Sequence, residues 1–278
     1  MRHSKLLFGT AGTPKSSKKR DSISGIEKVR ELGLGCMELE FVRGVKMGEA
    51  TARDVLQKSE KEDVALSVHA PYYINLNSPE PEKVDASIER IYKSSRIGSF
   101  CGARNIVFHP AYYQKDTPEK VYERVFKLMK MLTDRLDDED IDVTLRPETT
   151  GKRTQFGSLQ ENVKLSSELN NVLPCIDFAH LHARSGGAEN SYEEFTYTLE
   201  LVENELGREG LDDMHMHVSG IEYSEKGERK HLNLDESDLQ YTEFIRALKD
   251  FKVKGTLICE SPNNEGDALL LKRTYDNL

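Results

Sequence analysis

The chain has 278 residues and carries 39 Lys and Arg against 48 Asp and Glu, a formal charge of -9 with histidine neutral. Hydrophobic residues at 37% and charged residues at 31% suit a globular protein, and no apolar run approaches the roughly 20 residues of a membrane span. The negative sum excludes a nucleic-acid grip spread over the whole surface, because phosphate contacts supply most of that affinity, and leaves room only for a local basic patch. No export signal is read, so the chain is expected in the cytoplasm.

One pattern repeats along the chain: a short β-branched or apolar run, a polar loop, then a segment with helical spacing. The runs are LLFG (6 to 9), CMELEFV (36 to 42), VALSVHA (64 to 70), NIVFHP (105 to 110), VTLRPE (143 to 148), PCIDFA (174 to 179), MHMHVS (214 to 219) and GTLICE (255 to 260). Helical segments follow each one, from SISGIEKVRELG after the first to ALLLKRTYDNL after the last. Several open on capping residues: Asp21, Ser22 or Ser24, then Thr117 with Pro118 at the first helical position, then Ser191. Strands alternating with helices imply parallel pairing, and eight such units close into a (β/α)8 TIM barrel, with residues 1 to 278 as a single domain. A doubly wound open sheet is the competing arrangement. Cys36, Cys101, Cys175 and Cys259 are far apart with no CxxC pair, which reads as buried reduced thiols. GTAGTP (9 to 14) lacks the phosphate-loop ending and reads as an ordinary barrel loop.

In such a barrel the chemistry comes from the carboxyl ends of the strands. There the sequence collects metal-ligand residue types: His69, His109, Glu148, Asp177, His180, His217 and Glu260 at strand ends, with His231 in the long loop after the seventh strand. Gathered in one mouth, these carboxylates and imidazoles need a positive partner, and their donor set suits Zn2+, with Mn2+ or Fe2+ as alternatives. His215 and His217 share a strand face, and only His217 reaches the rim, so His215 is expected one layer deeper as a supporting or packed residue.

The ordered motifs resemble the endonuclease IV family of apurinic/apyrimidinic endonucleases, within the xylose-isomerase-like barrels. SVHAPYYINLNSP (67 to 79), FHP (108 to 110), ETTGKRTQFGS (148 to 158), CIDFAH (175 to 180), MHVSG (216 to 220) and ICESP (258 to 262) carry the likeness. The resemblance implies one zinc on His69, His109 and Glu148, a second on Glu148, Asp177, His217 and Glu260, and a third served by His180 and His231. It implies hydrolysis of DNA 5′ to abasic sites, leaving a 3′-hydroxyl and a 5′-deoxyribose phosphate, with Glu148 bridging metals and Glu260 orienting the attacking water. The family places an Asp two residues before the last histidine; GERKH puts Arg229 there, so two ions per chain are expected and the third site is expected to be empty or altered. Glu228, one position off, would substitute only with a shifted loop.

Damaged double-stranded DNA is the expected partner of a monomeric protein, with Lys15, Lys18, Lys19, Arg43 and Arg229 on catalytic-side loops supplying positive charge and Tyr72 stacking at the lesion. EFVRGVKMG after the second strand lacks the family's Arg/Gln/Trp segment. A sugar isomerase or epimerase on the same barrel is the alternative, since Glu148, Asp177, His217 and Glu260 also satisfy its single-metal quartet.

Overall fold

Residues 4 to 278 are described in a computed structural model; His3 lies outside them. Eight parallel strands form the barrel: β1 Leu6–Ala11, β2 Cys36–Glu40, β3 Ala65–His69, β4 Asn105–Phe108, β5 Thr144–Pro147, β6 Cys175–Asp177, β7 Met214–Val218 and β8 Gly255–Cys259. They pair in the order β5, β4, β3, β2, β1, β8, β7, β6. Closure between β5 and β6 rests on isolated bridges, Leu145 to Val172 and Glu148 to Cys175. Pro147 sits between those bridges and has no N–H to give, which is why the ladder is interrupted there. The TIM barrel expected from the alternation of elements is the fold observed.

Ten helices are described: α1 Ser22–Glu31, α2 Glu49–Glu62, α3 Pro81–Phe100, α4 Pro118–Asp138, α5 Leu159–Glu168, α6 Phe178–Ser185, α7 Tyr192–Leu206, α8 Arg208–Asp212, α9 Tyr241–Asp250 and α10 Glu265–Asn277. Local chemistry sets their starts. The Asp21 carboxylate accepts the Ser24 N–H, and Ser158 and Ser191 form capping boxes with Glu161 and Glu194. In α4, Val121, Val125, Met129 and Leu132 make one buried stripe, worth about 6–12 kcal/mol of transfer free energy before entropy is subtracted. Phe178, Phe195 and Phe244 lock α6, α7 and α9 together with ring centroids 4.4 to 6.0 Å apart.

Two features depart from the expected pattern. PCIDFA does not run as strand through Ala179: β6 ends at Asp177, whose Oδ1 accepts the His180 N–H at 2.8 Å and caps α6 at once. The loop after β7 is an antiparallel hairpin, Gly220–Ser224 with Gly227–Leu232. All four cysteines are buried and free, and among the described residues no helix is long and apolar enough to cross a membrane.

Candidate metal centre

Every strand end named above delivers its side chain to the barrel mouth. His69 closes β3, His109 follows β4, Glu148 follows β5, Asp177 closes β6, His217 lies in β7 opposite Asp177, and Glu260 follows β8. Glu148, almost wholly buried, is the hub. Its Oε2 lies 3.2 Å from His69 Nε2 and 3.0 Å from His109 Nε2, and its Oε1 lies 3.3 Å from both His217 Nδ1 and His180 Nδ1. Glu260 Oε1 stands 3.5 Å from His217 Nδ1.

At the mouth these atoms fall into three donor groups, in each of which all donors lie within 4.8 Å of one another: His69, His109 and Glu148; Glu148, Asp177, His217 and Glu260, sharing Glu148 with the first; and His180, Glu228 and His231, which shares no residue with either. The first two match the expected sets. The third corrects the reading of Arg229. In the hairpin, Ile221 pairs with His231 and Glu222 with Lys230, but Tyr223 pairs with Glu228, so the register slips by one residue. Arg229 is the extra residue of a β-bulge, and the bulge resets the alternation of the strand. Glu228 therefore stands on the same side as His231 although it lies three positions before it, an odd offset that an unbulged strand would send to the opposite face. Its carboxylate oxygens lie 3.7 Å from His180 Nε2 and 4.0 Å from His231 Nε2. Arg229 is 63% exposed and pairs outward with Glu222 at 2.8 Å, away from any ligand position.

The hairpin is held in place by backbone contacts. Gly227 has a φ of +95°, and a Cβ there would come within 2.2 Å of the Gly151 carbonyl oxygen, so the turn requires glycine. The Glu228 N–H donates to that same carbonyl at 2.9 Å. On the other side His182, buried and unassigned from sequence, meets Asp238 at 3.0 Å while the Tyr223 hydroxyl donates to Asp238 at 2.7 Å, clamping the hairpin to α6.

The electrostatics fit a cation at this point. Burial opposes charge on His69, yet Glu148 overrides it and raises the imidazole to about 10. Burial likewise works to raise Glu148, but His109 and His217 hold it well below the carboxylate range. Asp177 is pushed up by burial and by its neighbours Glu260 and Glu148. The Oδ2 of Asp177 is buried without an aligned hydrogen bond, with His180 Nδ1 3.3 Å away. An orphaned carboxylate oxygen within a ring of imidazoles and carboxylates is what a divalent metal satisfies, and the nitrogen and oxygen donor set suits zinc, manganese or iron.

Two further carboxylates escaped the reading of the sequence, Glu38 and Glu40. The alternation in CMELEF puts both on the inner face of β2, and that period-two signal could have found them. Glu40 pairs in register with His69 and is exposed at the mouth. Glu38 lies one layer down, fully buried, beside His215. His215 is itself fully buried two residues below His217, against Glu38 and Thr256.

Of the groups assigned to DNA, Tyr72 is 60% exposed with its ring 5.6 Å from that of His69. Lys15, Lys18, Lys19 and Arg43 are exposed on the loops after β1 and β2. Lys15 and Ser16 donate their backbone N–H groups to Glu265 at 2.8 Å, which ties the first of these loops to α10. A cavity of about 670 Å³ lies elsewhere, between α5, α6 and α7, and none of the metal-ligand residues lines it.

Residues 26 to 275 match the sequence pattern of the xylose isomerase-like TIM barrel proteins. The chain belongs to that family. Members differ in what their names describe. The chain is 50% identical to the uncharacterized protein MJ0133 of Methanocaldococcus jannaschii, over 98% of both chains. It is 23% identical to a probable endonuclease 4 of Mycoplasma pneumoniae, over 72% of this chain and 69% of that protein. Among solved structures, a D-tagatose 3-epimerase-like protein superposes with a TM-score of 0.72 at 18% identity, covering 98% of this chain and 96% of its own. Endonuclease IV from Thermus thermophilus superposes with a TM-score of 0.69 at 18% identity, covering 98% of both chains. The barrel alone therefore fits either kind of family member, and the side chains at its mouth must discriminate.

Proposed function

We propose that this protein is a metal-dependent phosphodiesterase of the endonuclease IV type, cutting DNA 5′ to abasic sites to leave a 3′-hydroxyl and a 5′-deoxyribose phosphate. The observation that carries the reading is the third donor group. A ketose epimerase or isomerase needs one metal on Glu148, Asp177, His217 and Glu260; it gives no work to His69 and His109, and none to a bulged hairpin that brings Glu228 to His180 and His231. The likeness to proteins named endonuclease 4 supports the same choice.

Divalent metals in these groups supply Lewis acidity toward a phosphate and water acidic enough to attack at neutral pH. The residues themselves do the rest. Glu148 joins two donor groups and fixes their separation. Glu260, 14% exposed between His217 and His231, orients the attacking water and takes its proton. His109 and His231, at 26% and 27% exposure, face the entering strand. Tyr72 stacks on a base beside the lesion, and Lys15, Lys18, Lys19 and Arg43 meet phosphates, a local positive field on a negative protein. The protein works as a monomer in the cytoplasm.

The test is incision of a duplex oligonucleotide bearing one abasic-site analogue, beside an undamaged control, with zinc or manganese. Metal-dependent cleavage whose product a polymerase extends is the expected result. A metal-loaded, folded protein that leaves the duplex intact and epimerises a ketose overturns the reading.

A further inference from the structure

Glu38 is a buried carboxylate that belongs to none of the three donor groups and has no role in the proposed chemistry. It sits in β2, in register with Ser67 of β3, and points into the barrel beneath the rim. Its Oε2 accepts the Ser67 hydroxyl at 2.7 Å and meets His215 Nε2 at 3.0 Å. The other nitrogen of His215 meets the Thr256 hydroxyl at 2.6 Å, so the imidazole is tied at both ends. That leaves Oε1. It lies 3.0 Å from His217 Nε2, and both atoms are buried without an aligned hydrogen bond of their own, so each is the other's close polar neighbour. The opposite edge of the His217 ring, Nδ1, faces Glu148 at 3.3 Å and Glu260 at 3.5 Å.

We propose that Glu38 is a positioning residue for the metal centre: it takes the Nε2 edge of His217, so that the Nδ1 lone pair is the one presented to the group formed by Glu148, Asp177 and Glu260. A carboxylate deep in a barrel costs several kcal/mol unless it is paired, and Ser67 and His215 are the fixed partners that hold it in place. A carboxylate behind a ligating imidazole fixes its tautomer and ring orientation and strengthens the donor. Ser67, Glu38 and His215 thus form a shelf drawn from β2, β3 and β7, and His217 rests on it. This inference depends on the metal reading of the site and is independent of whether the substrate is DNA.

The experiment is metal titration of Glu38→Gln and the unaltered protein against a chromophoric chelator, with the visible spectrum of the Co2+ forms recorded in parallel. The amide keeps the shape and removes the anion. One ion should bind about 10–100-fold more weakly, with a shifted cobalt band, while metal held by the His69 and His109 group keeps its affinity. Should Glu38→Gln fail to fold, Ser67→Ala loosens the same carboxylate without altering charge and should weaken the same ion several-fold. Unchanged affinity for every ion together with an unchanged cobalt spectrum overturns the proposal. An unaltered protein that binds no metal overturns the metal reading with it, whereas metal loading without incision overturns only the nuclease assignment.

Discussion

Deleting Arg229 and truncating Glu228 should have opposite consequences, and the bulge explains why. Removal of Arg229 turns GERKH into GEKH and makes the pairing of Tyr223 with Glu228, and of Glu222 with Lys230, one continuous ladder. Glu228 then stands two residues before His231 on an unbulged strand and keeps its face. What is lost is one ion pair of 2.8 Å between Arg229, 63% exposed, and Glu222, worth less than about 1 kcal/mol. Lys230 retains its own contact with Glu222 at 3.2 Å. Glu228→Ala instead removes one of the three donors facing a common point with His180 and His231. Zinc bound by four protein ligands gains about 10–16 kcal/mol, so one donor carries roughly 3–4 kcal/mol, or two to three powers of ten in affinity. Elemental analysis after dialysis against a weak chelator should find three ions in the unaltered protein and in the deletion variant, and two in Glu228→Ala. Retention of the third ion by Glu228→Ala, or its loss on deletion of Arg229, refutes the argument from the bulge.

Tyr72→Ala should raise KM for abasic-site duplex by about 5–150-fold, the range that 1–3 kcal/mol of base stacking allows, with metal content unchanged; equal KM values would remove Tyr72 from the substrate surface. Glu189, beside the cavity between α5, α6 and α7, is pushed up from 4.5 to about 7 by burial and by Glu194. A carboxyl raised on folding binds more protons in the folded state, so its contribution is lost as pH rises from about 4.5 to about 7. The shift caps that loss near 3 kcal/mol, and partial exposure reduces it to about 1–2 kcal/mol. Glu189→Gln should therefore match the unaltered protein in urea unfolding at pH 4 and exceed it by that amount at pH 8. A difference that does not vary with pH would exclude the mechanism.

The sequence by itself determined the barrel and most of its rim. Parallel strands buried on both faces write themselves as short apolar runs, and the residues at a strand's carboxyl end reach the mouth by geometry alone, so His69 and Asp177, which end their strands, and His217, one residue before its strand's end, were legible from spacing. The family likeness then grouped them. Tertiary structure decided the rest, because it depends on partners far along the chain. Whether Arg229 or Glu228 enters the site is set by which residues of a hairpin pair, and a bulge leaves no mark in the local pattern of charge. His180 enters from the first turn of α6, not from a strand, because the Asp177 side chain starts that helix immediately. Glu38 became intelligible only when β2, β3 and β7 were placed side by side: a carboxylate at position 38 and imidazoles at 215 and 217 have no relation in sequence, and in the closed barrel Glu38 meets His215 in its own layer and His217 in the layer above.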